Sequence, residues 1–344
     1  MKSQIQTLLI TGCTGFIGAY VTRSLLKDRY KIYAIVRNTT KLATIPSLHH
    51  DENLRTIEGD LLSETDLKSL QHDLSLIDQC DAVIHMIGGG PLTSNRRFAA
   101  EIVALNYQTT VNLMRLLQAT RKLDSLSLFV YFSSLAAMGI PGSISDTIVY
   151  SESTSCNPVL PYEEAKLKTE EFLEETTRQA NFKTVILRFP QIYGGENDSL
   201  VQMTSLIRKG TFPVVRNKIG TLPLLHVEDA AKATCMVINN YALIQRKYDV
   251  NVVCEGSYSY RDLDVLVREK YGTGRTVKLP YALFHMMVLF IEILFKVAGK
   301  PEPLNRRRLL SMTKDRIVDC RKFVRTFNFE FDHNLPSFLC DSLR

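Results

Sequence analysis

Short apolar runs, each closed by glycine or polar residues and followed by a stretch of helical period, organise most of the chain. Leu8 to Thr11 is the first such run, and "YKIYAIVRN", "LRTIEGDLLS", "CDAVIHMIGGG" and "LSLFVYFSSLAAMG" repeat it. Between the last two lies "ALNYQTTVNLMRLLQATRK", with Leu105, Val111, Leu113, Leu116 and Leu117 at helical spacing. Strands alternating with helices in this way predict an α/β fold, a doubly wound parallel sheet covered on both faces. Ligands of such sheets bind at the carboxyl ends of the strands.

The first strand runs into "TGCTGFIGAYVTRSLL", where Gly12, Gly15 and Gly18 are spaced three apart and open a helix. Glycine serves a tight turn, the approach of a pyrophosphate to bare backbone N–H groups, and close packing of helix on strand. The turn predicts a dinucleotide site on a Rossmann-type domain, built from Gly12, Thr14, Gly15, Phe16, Ile17 and Gly18. The second strand ends in Arg37, where an NAD site usually offers a carboxylate. An arginine suits the 2′-phosphate of NADP, so NADP is the first expectation and NAD the second. Asp60 and Leu61, in "GDL", follow the third strand, and the Asp60 carboxylate is placed to accept a bond from an adenine amino group.

"LPYEEAKLKTEE" sets Tyr162 four residues ahead of Lys166 at the start of a charged helix. Positions i and i+4 share a helix face, so the ammonium can sit beside the phenol and ease its ionisation. A half-buried tyrosine beside a solvated lysine gives the same pattern. Ser133 and Ser134 end the fifth strand, and Asn106 begins the helix before it. Turn capping and backbone satisfaction are their ordinary uses.

Taken together, "TGCTGFIG", "GDL", "VIHMIGG", "LNYQTTVNL", "FSSLAAMG", "PYEEAK", "LRFPQIYGG" and "LLHVEDAAKA", between residues 8 and 235, resemble the extended short-chain dehydrogenase/reductases. The resemblance implies that Tyr162 is the general acid/base, that Lys166 tunes it and holds the nicotinamide ribose, and that Ser134 bonds the reacting oxygen. It also implies that Asn106 completes a proton relay through water. Two positions depart from the family. Phe189 separates Arg188 from Pro190, and Leu222 stands where the nucleotide-sugar branch commonly carries a phosphate-gripping arginine. His226 and Asp229 read as structural.

The 344 residues, 45% apolar and 23% charged, suffice for one large or two ordinary domains. A Rossmann domain over 1–190, completed by about 222–254, leaves 191–221 and 255–344 for a smaller substrate-binding lobe. The seven scattered cysteines, without a paired spacing, read as cytosolic thiols and exclude a zinc motif. No signal peptide, internal repeat or nucleic-acid motif is evident.

The lobe contains "LPYALFHMMVLFIEILFKVAGK", an apolar helix at about 281–298 whose His285, Glu292 and Lys296 fall on one side. Three settings suit it: the protein core or a homodimer contact, a lid over an apolar substrate, or a membrane interface. From Lys296 to Arg325, ten Lys or Arg stand against three acids, which suits an anionic membrane surface touched by 281–325. The arrangement also resembles the hydroxysteroid and sterol dehydrogenase branch, and Arg37 the dihydroflavonol reductases. The expectation is a cytoplasmic NADP-preferring oxidoreductase, peripheral to a membrane through 281–325. Its small-molecule substrate is a secondary alcohol or ketone on a bulky apolar ring. A nucleotide-sugar epimerase or dehydratase with tightly held NAD(P) is the alternative.

Overall fold

The computed structural model describes residues 5–341 apart from 44, 46–47, 49–50, 141–145 and 196–198. Its large sheet is parallel and seven-stranded. In chain order the elements are β1 (Thr7–Thr11), α1 (Phe16–Lys27), β2 (Lys31–Val36), β3 (Leu54–Glu58), α2 (Glu64–Ser75), β4 (Ala82–His85), α3 (Thr109–Ala119), β5 (Leu128–Ser134), α4 (Pro161–Gln179), β6 (Lys183–Phe189), α5 (Val227–Asn239) and β7 (Tyr248–Val252). The spatial order is β7-β6-β5-β4-β1-β2-β3, so the winding reverses between β1 and β4. At that switch point the strand ends part to leave a ligand crevice.

The apolar runs are continuous because both faces of the sheet are covered. Alternate residues divide between two core layers. Leu8 and Ile10 join α1 and α5 on one face, and Leu9 joins α2, α3 and α4 on the other. The first layer also receives Phe323, Phe327 and Phe329, so the segment after Cys320 returns to the large sheet. Its Lys322 Nζ donates to Asp249 Oδ1 at 2.6 Å.

The smaller lobe is assembled from distant segments. Strands Gln191–Tyr193, Thr221–His226 and Gly256–Ser259 form one sheet, and Thr147–Tyr150 pairs in parallel with Asp315–Val318. After these come α6 (Tyr260–Tyr271), α7 (Tyr281–Val297) and α8 (Arg306–Ser311). The apolar helix of the sequence is α7, yet only Phe284, Val288 and Glu292 are buried in it. Its apolar face is turned outward. Among the described residues no helix is long and apolar enough to cross a membrane.

Candidate active site

The glycine turn is held by a close approach of backbone to backbone. Gly12 has φ +82°, a left-handed value that favours glycine, and its carbonyl accepts from Gly15 N at 3.0 Å. A Cβ on Gly18 would lie 2.0 Å from that same carbonyl oxygen. The turn delivers α1 with no side-chain cap and no acidic residue in its first turn. Its free N–H groups and dipole are therefore available to an anion, the requirement of a pyrophosphate. These residues fit a nicotinamide dinucleotide.

At the far end of the same cleft stand Ser134, Tyr162 and Lys166. The cleft, ≈ 250 Å³, is lined from Gly12, Gly15, Phe16, Ile17 and Gly18 through Gly88 to those three, and by Phe189 and Pro190 opposite. Tyr162 is brought there by the start of α4. Pro161 occupies the first helical position, while Glu163 turns back to accept from Val159 N at 2.8 Å and Leu160 N at 3.2 Å. The phenol consequently sits in the first helical turn, where the backbone dipoles favour an anion. Burial nevertheless pushes Tyr162 up to about 12, opposed by its hydrogen bond with Ser134.

Lys166 Nζ lies 5.9 Å from the centre of the Tyr162 ring. It donates to Phe132 O at 2.9 Å and to Tyr131 Oη at 3.2 Å, which leaves one of three ammonium N–H groups for the cleft. Burial brings Lys166 down to about 7, against the pull of Glu170. Gly88 separates this ammonium from Asn106, since a Cβ there would meet Lys166 Nζ at 2.5 Å and Asn106 Oδ1 at 2.8 Å.

Asn106 acts as a clamp. Its Oδ1 accepts from Gly89 N at 2.9 Å, and its Nδ2 donates to Gly89 O at 2.7 Å and Ile102 O at 2.8 Å. It stands in a π-helical turn, Ala104–Gln108, whose wider winding places the clamp beside the 88–90 loop. Ser133, by contrast, donates to Glu170 Oε1 at 2.5 Å, while Ser134 Oγ accepts from Ala136 N at 3.1 Å. Thr14, Arg37, Asp60 and Leu61 lie outside the lining of the cleft. Arg37 is exposed just beyond β2, Asp60 Oδ1 accepts from Leu62 N at 2.9 Å, and the Leu61 carbonyl accepts from Asn112 Nδ2 at 2.7 Å.

Several supporting residues carry no signal in one sequence. His85 is fully buried between Thr11 Oγ1, 2.6 Å away, and Thr110 Oγ1, 2.9 Å away, and stacks on Tyr131. Burial, then Lys166, lowers it to about 3, so a neutral ring supports the Tyr131 hydroxyl beside the ammonium. Behind Ser133, Glu170 and Arg188 form a buried ion pair at 2.6 Å. The residue inserted before Pro190 thus sends Arg188 inward and leaves Phe189 on the cleft.

Beyond Ser134, Tyr162 and Pro190 the cleft opens into a second cavity of ≈ 730 Å³ between sheet and lobe. Leu135, Ile140, Phe212, Leu222 and Leu304 give it apolar walls. Arg307, Arg308 and Arg316 line it as well. Part of the basic run thus faces the same cavity as Leu222. Arg307 lies 3.5 Å from Glu163, whereas Arg308 and Arg316 have no ion-pair partner among the described residues. His226 caps α5 through Nδ1, accepting from Glu228 N, and Asp229 accepts from the backbone of Asp332 and His333.

The model of the NAD dependent epimerase/dehydratase family matches residues 8–252. A sterol-4-alpha-carboxylate 3-dehydrogenase (decarboxylating) of Dictyostelium discoideum is 23% identical over 235 residues, 66% of this chain and 66% of that protein. An uncharacterized UDP-glucose epimerase of Bacillus subtilis (strain 168) is 30% identical over 196 residues, 54% of this chain and 57% of its own length. The chain thus spans just under two thirds of the first relative and just over half of the second. The fold is shared with UDP-glucuronic acid 4-epimerase from Bacillus cereus, solved with UDP-glucuronic acid and NAD, at a TM-score of 0.71 and 20% identity over 97% of this chain and 96% of that one. With a glycine turn and a Ser134, Tyr162 and Lys166 set on one cleft, and a family match over most of its length, the chain belongs to the NAD dependent epimerase/dehydratase family of extended short-chain dehydrogenase/reductases.

Proposed function

We propose that the protein interconverts a secondary alcohol and a ketone on a bulky, largely apolar ring, with NADP preferred over NAD. One observation carries the reading. Ser134, Tyr162 and Pro190 belong to both cavities, so a phenol stands where a dinucleotide cleft meets a substrate cavity. The nicotinamide supplies or takes up the hydride. The Tyr162 hydroxyl gives its proton to the carbonyl oxygen, or receives one from the hydroxyl, while Ser134 holds that oxygen by a hydrogen bond. Lys166 offers its remaining N–H to the ribose and its charge to the phenol. General acid/base participation of this kind is typically worth about 10²–10⁴-fold. Arg37, exposed at the carboxyl end of β2, supports NADP through a guanidinium's fit to a 2′-phosphate.

The three cavity arginines favour a second reading in which the substrate is a nucleotide-linked sugar held by its phosphates. On the first reading the same arginines take an acidic group of the ring compound, such as the carboxylate in the name of the Dictyostelium relative. Titration with NADPH and NADH, followed by turnover of sterol, flavonoid and sugar-nucleotide panels, separates them. Stoichiometric consumption of NADPH with a ring ketone supports the first. A nicotinamide that stays bound and returns unchanged supports the second.

A further inference from the structure

Among the described residues none covers the outward face of α7. Leu283, Met286, Phe290, Ile293, Leu294 and Val297, spaced along one side of the helix, are between 49% and 80% exposed. The stripe runs about 21 Å at the rise of a helix, and a contiguous apolar patch of this kind marks an interaction surface. The inner stripe, Phe284 and Val288, packs with Val215, Leu309 and Met312, and Met312 also lines the large cavity.

Charge selects the occupant. Between 276 and 300 the single acidic residue is Glu292, and it faces inward, accepting from Arg306 N at 2.6 Å and from Arg306 Nε at 2.8 Å. Lys278 before the helix, and Lys296 and Lys300 at its end, are all exposed. Residues 276–300 thus present an apolar stripe with cations at both ends and no exposed anion of their own. A second copy fits poorly, because a two-fold contact along α7, parallel or antiparallel, sets lysines against lysines. An anionic lipid surface satisfies both features, with the apolar side chains in the acyl boundary and the lysine stems reaching the headgroups.

We propose that α7 lies in the plane of an anionic membrane surface and docks the protein there. The inference is independent of the reaction assigned above. The test is co-sedimentation of the full chain with phosphatidylcholine vesicles containing phosphatidylglycerol, with pure phosphatidylcholine as the reference. The full chain pellets with the anionic vesicles, Met286→Asp/Phe290→Asp lowers the bound fraction about tenfold or more, and Lys296→Glu/Lys300→Glu removes the preference for anionic lipid. All four changes fall on exposed positions, so nucleotide binding is retained in each variant. Equal recovery with and without vesicles overturns the proposal. So does a stable dimer in solution that Met286→Asp/Phe290→Asp dissociates, which assigns the face to a second copy.

Discussion

Tyr162 and Lys166 share a cleft because one helix turn separates them, yet burial moves their protons in opposite senses. The phenol is raised to about 12 and the ammonium lowered to about 7. For Lys166 the folded value is the lower one, so above about 7 the unfolded chain, titrating at the ordinary 10.5, binds more protons. Stability then rises with pH through that window. Lys166→Met removes the contribution, and urea unfolding at a series of pH values shows the variant's profile flatter than the parent's there. The i, i+4 spacing was legible in the sequence. The fates of Tyr131 and His85 were not, because a single chain does not reveal that two residues on neighbouring strands stack beneath the ammonium.

The β1–turn–α1 element was the most legible, since a strand, three glycines and a helix obey local rules. Its consequence is sharp. Gly18→Ala forces a methyl into the Gly12 carbonyl, which costs about 1–3 kcal/mol as overpacking does and opens the turn. Calorimetric titration detects loss of nucleotide binding while circular dichroism retains the α/β signature. The α4–β6 contact depends instead on a buried ion pair. Glu170→Gln leaves Arg188 uncompensated and costs about 3–5 kcal/mol, the range for breaking such a pair, measured as a shift in the denaturation midpoint. Its third partner, Ser133, keeps an acceptor in the amide oxygen of the same variant, so the loss falls on the charge. Sequence reasoning left the setting of α7 open among core or dimer contact, lid and membrane interface, for a physical reason. Glu292 is buried beside Phe284 and Val288 because Arg306, fourteen residues on, neutralises it, while Lys296, one turn further along, stays exposed.

At the scale of the molecule, the sequence order of strands and helices was enough to anticipate the doubly wound sheet, while the cavity above it was not legible. The pairing of Thr147–Tyr150 with Asp315–Val318, a long-range contact, brings Tyr150 and Arg316 to its lining, which Arg307 and Arg308 share. Arg308→Met/Arg316→Met therefore raises KM for an acidic or phosphorylated substrate by about tenfold or more, as loss of a charge-assisted bond requires. kcat for a neutral analogue of the same ring stays unchanged in steady-state assays. The central claim is that the phenol of Tyr162 handles the substrate proton beside a bound nicotinamide. It is tested most directly by measuring NADPH affinity and turnover in parent and Tyr162→Phe. The account predicts equal affinity with turnover lower by about 10²–10⁴-fold; undiminished turnover in Tyr162→Phe, or a parent chain that binds neither NADPH nor NADH, contradicts it.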